Sequence, residues 1–174
     1  MITFLVGGAR SGKSSLAVEM GVRHQGPVVF VATAEAFDAD LATRIARHRH
    51  ERPEWPTIEA PIELGDAVTA TPSDSFVIVD CLTVWLANLF HHLPDEPARR
   101  DRVDAFLQAV SARTAPTVVI SNEVGLGLHP ETALGRDYRD ELGRLNQRVA
   151  AVAQRSLLLV AGRALPLTDP WKSL

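Results

Sequence analysis

A chain of 174 residues, 46% hydrophobic and 22% charged, has the makeup of a globular protein and the length for one domain, 1–174, with a sizeable core. Its formal net charge of −3 gives no electrostatic footprint for nucleic acid or a membrane surface. The lone cysteine, Cys81, excludes an intramolecular disulfide, no cysteine–histidine cluster has zinc spacing, and no segment approaches about 18 consecutive apolar residues.

The first predicted strand, Ile2–Val6, starts at once, with no charged and apolar leader before it, and cytoplasmic residence is the expectation. It runs into Gly7-Gly8-Ala9-Arg10-Ser11-Gly12-Lys13-Ser14, which satisfies G-x-x-x-x-G-K-[ST]. A helical pattern over Lys13–His24 follows. Strand, glycine turn and helix in that order form a phosphate cradle. Glycines let successive N–H groups turn inward, and the helix start adds unpaired N–H groups and a positive dipole end. Lys13 would reach the β- and γ-phosphates, and the Ser14 hydroxyl would ligate Mg²⁺.

Further along, predicted strands Val28–Ala32, Phe76–Asp80, Thr117–Ser121 and Leu157–Ala161 alternate with helical patterns at Ala39–Glu51, Thr83–His91, Ala98–Arg113 and Gly135–Gln154. Near-continuous apolar strands suit burial on both faces, so the fold class is α/β, with a mostly parallel sheet flanked by helices. The stretch from Arg52 to Pro72 is the least regular, with room for a second small element. Parallel sheets bind ligands beyond the carboxyl ends of their strands, which singles out Gly7 onward, Thr33-Ala34, Asp80-Cys81 and Asn122-Glu123. Asp80 ends an apolar strand; beside a phosphate loop it reads as a Mg²⁺ carboxylate, and in isolation as the start of a loop or a helix cap.

The segment Arg44-Ile45-Ala46-Arg47-His48-Arg49-His50-Glu51-Arg52-Pro53 places histidines among four arginines. Helical spacing sets Arg44 and His48 one turn apart, and Pro53 ends the helix near Glu51. Neighbouring cations favour the neutral imidazole, the form with a nucleophilic lone pair, and arginines would clamp phosphates. A histidine attacking phosphorus gives a phosphoramidate that the next nucleophile cleaves readily. On composition alone the plainer reading is a solvated basic face with two incidental histidines, since charge runs usually face solvent.

Several stretches together resemble one family. They are GGARSGKS, VFVATAEAFDADLATRIARHRHERPEWPTIEA, VIVDCLTVWLANL and SNEVGLGLHPETALGRDYRDELGRLNQRVA, in order and over well over half of the chain. The family is the bifunctional adenosylcobinamide kinase/adenosylcobinamide-phosphate guanylyltransferase of cobalamin biosynthesis. The resemblance implies a RecA-like sheet and two reactions. ATP or GTP phosphorylates the aminopropanol hydroxyl of adenosylcobinamide; GMP then passes from GTP, through a histidine, to that phosphate. On the family pattern the guanylylated residue is His48, with His50 as fallback. The same mapping gives GTP contacts to Ala32, Thr33, Ala34, Arg49, His50, Glu51, Arg52, Glu59 and Asp80. The Glu59 carboxylate has the acceptors to receive a guanine edge. Asn122, Glu123, Arg136, Arg139, Arg144 and Asn146 belong to the signature without an assigned role. The three arginines read either as substrate or subunit contacts or as partners of Asp137, Asp140 and Glu141. The resemblance further implies a homotrimer, while charge and hydropathy lead to the expectation of no nucleic-acid partner and no membrane insertion. A kinase without the histidine step, and a nucleotide-switched ATPase with a macromolecular partner, are the rival readings. The terminal Gly162–Pro170 run departs from the family pattern at a place expected to lie away from the chemistry.

Overall fold

The computed structural model describes residues 1–35 and 52–172. The helix expected over Ala39–Glu51, and with it His48, Arg49, His50 and Glu51, lies outside the described residues.

The elements in chain order begin β1 (Ile2–Gly7), α1 (Lys13–Val22), β2 (Val28–Ala32), β3 (Thr57–Glu59), α2 (Leu64–Thr69), β4 (Phe76–Asp80) and α3 (Leu82–His92). There follow α4 (Glu96–Ala112), β5 (Thr117–Asn122), α5 (Ala133–Val152), β6 (Arg155–Val160), β7 (Arg163–Leu167) and a 3₁₀ turn at Pro170–Lys172. The strands form a seven-stranded sheet in the order β3-β2-β4-β5-β1-β6-β7, parallel except for the β6–β7 pair.

Why the apolar runs are continuous is visible in the packing. Alternate residues of each central strand point to opposite faces, and both faces are covered. Val29, Val31, Val77, Val79 and Val119 meet α2 through α5 on one side, around Leu64, Trp85, Phe106 and Leu142. Phe30, Ile78, Val118 and Ile120 meet Ala17 of α1 on the other, with Leu16, Met20 and Trp55 packed alongside. Trp85 and Phe106 stack at a tilt with centroids 5.4 Å apart, and the Trp85 indole N–H donates to the Ile62 carbonyl at 2.9 Å. That bond satisfies the one polar atom of a side chain that is otherwise fully buried.

Both elements found between Arg52 and Pro72 are short. β3 has three residues and among the described residues pairs with β2 alone; α2 is a six-residue helix held by α4. The sequence reading has no counterpart for β7. Its side chains are all exposed, so it carries no burial pattern to read. Val160, Ala161, Gly162 and Arg163 close the β6–β7 hairpin, with φ of 50 and 72 at the two central residues, as a two-residue hairpin turn with positive φ at both positions requires.

Candidate nucleotide site

The carboxyl ends of the parallel strands line one rim of the sheet, and strand order fixes who stands there: Glu59, Ala32, Asp80, Asn122 and Gly7, from β3 to β1. Four strand spacings separate the ends of that row, about 19 Å. Residues distant in the chain are thereby set in a line along which an extended ligand can lie.

At the β1 end the glycine turn has the shape of a cradle. Gly12 sits at φ 100, a left-handed conformation that glycine takes at no steric cost, and caps α1. Lys13 is only 7% exposed, and its ammonium straps the turn, donating to the Gly7 carbonyl at 3.0 Å, the Gly8 carbonyl at 2.7 Å and the Ser11 hydroxyl at 3.3 Å. Burial pushes the Lys13 pKa below the ordinary lysine value, against the opposing pull of Cys81 and Asp80. An arriving phosphate would restore the balance by pairing with the ammonium.

Gly7 is required by close approach. A Cβ there would run into the Leu159 carbonyl oxygen of β6 and crowd the Ser11 hydroxyl. Gly7→Ala is therefore expected to cost about 1–3 kcal/mol of stability through forced backbone shifts. It should also weaken nucleotide binding, because the first carbonyl receiving Lys13 moves. Thermal denaturation together with nucleotide titration checks this; wild-type values in both would contradict it.

In the first turn of α1, the Ser14 hydroxyl donates to Asp80 Oδ2 at 2.9 Å, across 66 residues of chain. Both are hard oxygen ligands. The 2.9 Å span matches the edge, about 2.9 Å, of an octahedron of oxygens around Mg²⁺, an ion that takes one or two protein ligands and fills the rest with water and phosphate. The donor set fits Mg²⁺. Among the described residues no group of three or more histidine, cysteine or acidic side chains gathers as a fuller metal cage.

Thr33 is wholly buried and serves as a fastener. Its hydroxyl donates to the Cys81 carbonyl at 2.8 Å and accepts from the Cys81 N–H at 2.8 Å, while Asn88 of α3 donates to the Thr33 carbonyl at 2.8 Å. These bonds tie the end of β2 to the turn after Asp80. Burial first, and Asp80 second, push the Cys81 thiol up to about 11, so it is a neutral thiol at physiological pH. Arg52 lies over the Phe30 ring, 3.9 Å from its centroid, and donates to the Thr57 hydroxyl at 2.8 Å. Glu59 closes β3 opposite Ala32.

Of the signature arginines, Arg136 donates to the Pro130 and Glu131 carbonyls at 3.1 and 2.8 Å, and Arg139 pairs with Asp140 at 2.8 Å and meets His129 at 2.9 Å. Arg136 thus fastens the loop before α5, Arg139 makes one of the acidic pairings the sequence allows, and Arg144 is exposed on the helix. The terminal hairpin corrects one expectation. Gly162 N–H donates to the Ser11 carbonyl at 3.0 Å, so the β6–β7 turn buttresses the phosphate loop and does not lie away from it. An Ala-Gly pair between two apolar runs was the available signal, a weak one. A cavity of about 620 Å³, lined by Gly21, Trp55 and Ile58 among others, opens near the amino end of β2, at the opposite end of the strands from the cradle.

A mostly parallel α/β sheet carrying this glycine turn, its strapped lysine and the Ser14–Asp80 pair defines a P-loop NTPase fold. Solved structures share the fold: a Pyrococcus horikoshii OT3 protein with a TM-score of 0.58 at 8% identity, over 97% of this chain and 88% of that one. An ATPase from the type III secretion system of pathogenic bacteria follows, with a TM-score of 0.57 at 10% identity, over 91% of this chain and 52% of that one. A family model described as cobinamide kinase / cobinamide phosphate guanyltransferase matches residues 3–167, and the chain belongs to that family. Its relatives include the bifunctional adenosylcobalamin biosynthesis protein CobP of Pseudomonas aeruginosa, 39% identical over 96% of this chain and 97% of the relative. The CobU proteins of Escherichia coli and Salmonella typhimurium are each 36% identical over 93% of this chain and 97% of their own length.

Proposed function

We propose that this chain, working as a single domain, phosphorylates the aminopropanol hydroxyl of adenosylcobinamide with ATP or GTP, and then passes GMP from GTP to that phosphate through His48. The observation that carries the reading is the Ser14–Asp80 contact at 2.9 Å beside the Lys13 strap, in a chain of the cobinamide kinase family.

In the kinase step, N–H groups of Gly8, Ala9, Arg10, Ser11 and Gly12 and the Lys13 ammonium hold the β- and γ-phosphates, fixing the γ-phosphorus for attack by the hydroxyl. Ser14 and Asp80 would hold Mg²⁺, which would supply charge neutralisation on the phosphate oxygens when bound. In the transfer step, the neutral His48 imidazole attacks the α-phosphorus of GTP. A P–N bond forms as the bond to pyrophosphate breaks, and the cobinamide phosphate oxygen then displaces the histidine, yielding adenosylcobinamide-GDP. By the family mapping Arg49, His50, Glu51 and Arg52 contact the GTP, as do Ala32, Thr33 and Ala34, and Glu59 accepts from the guanine edge. The enzyme works in the cytoplasm as a homotrimer. Exposed Leu126 and Leu128 on the loop before α5, Leu134 in its first turn, and Leu165 and Trp171 near the β7 edge supply apolar surface for subunit contacts.

Incubation with GTP labelled at the α-phosphate tests the transfer half. The expected result is an acid-labile, hydroxylamine-sensitive label on the protein that adenosylcobinamide phosphate discharges. Phosphorylation of adenosylcobinamide without any protein-bound label would leave a kinase alone.

A further inference from the structure

The residues that lead into β3, from Arg52 to Thr57, form a stiff bracket on the α1 face of the sheet. Pro53 and Pro56 each fix one backbone angle. The Arg52 guanidinium lies 3.9 Å from the centroid of the Phe30 ring and donates to the Thr57 hydroxyl at 2.8 Å. That hydroxyl in turn donates to the Trp55 carbonyl at 3.1 Å. Trp55 N–H donates to the Pro53 carbonyl at 2.8 Å, and Phe30 N–H donates to the Pro56 carbonyl at 2.9 Å. The bracket thus holds its own shape and is bonded to the middle of β2.

Its second attachment is to α1. Trp55 packs against the cluster that contains Ala17 and Ile78, and its indole lies over Gly21. A Cβ at Gly21 would stand 2.7 Å from Trp55 Cη2 and 3.2 Å from Ile78 Cδ1, so the indole fills the space a side chain there would need. Gly21 lies in the last turn of α1 without a positive φ, where alanine would favour the helix more. Conformational freedom does not call for glycine at this position; room for the indole does.

The first turn of the same helix carries Lys13 and Ser14. From Lys13 to Gly21 the helix runs about 12 Å, a rigid rod between the phosphate cradle and the Trp55 seat. His48 precedes Arg52 by four residues, a span of at most about 14 Å even when fully extended. One short bracket therefore joins the helix that grips the phosphates to the chain that leads back to His48. Lys13, Ser14 and Asp80 sit on α1 and β4, outside the bracket, so the phosphoryl step keeps its geometry without it.

We propose that Trp55, seated on Gly21, is a positioning residue for guanylyl transfer, fixing where the His48 segment joins the phosphate helix so that the imidazole meets the α-phosphorus in line. The inference rests on the reading of His48 as the nucleophile, and it names the contact that keeps it in register. A misplacement of about 1 Å costs on the order of 10²-fold in rate, which sets the size of the effect.

The test compares the wild type, Trp55→Ala, Gly21→Ala and the double variant Gly21→Ala/Trp55→Phe, with melting curves to establish folding. Two rates are read in each: single-turnover labelling by GTP labelled at the α-phosphate, and phosphorylation of adenosylcobinamide by ATP. Trp55→Ala is expected to slow labelling at saturating GTP on the order of 10²-fold. The GTP concentration giving half the maximal rate, and the phosphorylation rate, should each stay within about threefold of wild type. Gly21→Ala should slow labelling about tenfold by displacing the indole, and adding Trp55→Phe, a shorter ring, should restore most of that loss. Should Trp55→Ala fail to fold, the two Gly21→Ala variants decide by the same rate. Labelling at the wild-type rate in a folded variant overturns the proposal, as does an equal fall in labelling and phosphorylation, the mark of a merely structural role. A raised half-saturating GTP concentration with an unchanged maximal rate also overturns it, because the bracket would then serve β3 and Glu59. A wild type that takes no label overturns the histidine reading and this inference together, so the wild type tells the two failures apart.

Discussion

Lys13→Ala lowers the rate of adenosylcobinamide phosphorylation by on the order of 10³-fold, the scale at which cationic stabilisation of a transferring phosphoryl group is felt. Two losses combine. The ammonium that faces the phosphates disappears, and so do its bonds to the Gly7 and Gly8 carbonyls, which hold the turn in its cradle shape. Arginine does not restore the rate, because a planar fork cannot occupy the point between two carbonyls and a hydroxyl. Stability separates this from unfolding. In the folded chain the Lys13 pKa is lowered by burial from 10.5, so between the lowered value and 10.5 the unfolded chain binds more protons than the native one. Stability contributed by this group therefore rises with pH across that window. Lys13→Ala abolishes the rise without lowering the melting temperature at neutral pH. Steady-state kinetics paired with melting curves at neutral and alkaline pH check both parts; a rate loss under about tenfold would remove Lys13 from the chemistry.

His48→Ala is expected to abolish protein-bound GMP and cut guanylyl transfer by on the order of 10⁴-fold or more, since a missing nucleophile closes the covalent route. Phosphorylation of adenosylcobinamide should persist within about threefold, because the kinase groups sit on Lys13, Ser14 and Asp80 and none of them is altered. The matched His50→Ala variant keeps its label. The two products, adenosylcobinamide phosphate and adenosylcobinamide-GDP, are separable by chromatography, so one incubation reads both steps. A label that survives in His48→Ala and vanishes in His50→Ala would move the nucleophile by two residues; a label surviving in both would end the histidine mechanism.

The phosphate turn was legible because its determinants are local. Glycines, a lysine and a hydroxyl within eight residues, between a strand and a helix, specify the cradle from neighbouring backbone alone. The central strands were legible for a related reason: burial on both faces writes itself into an apolar run. β5 extends one residue further than its apolar pattern, to Asn122, because its final backbone groups are held by Thr83 and Asn146 and not by a hydrophobic neighbour. β3, α2 and β7 left little trace. Each is short, and their partners (β2, α4 and β6) are set by pairing across the fold.

The amino-acid order alone thus determined the nucleotide-binding class, the parallel sheet and the family signature, since local backbone chemistry and burial periodicity are properties of adjacent residues. The meeting of Ser14 with Asp80, the clamp on Asn122 and the seating of Gly162 against Ser11 were decided by strand order in the folded sheet. Contacts of that kind join residues far apart in the chain, and their geometry exists only once the intervening segments have packed.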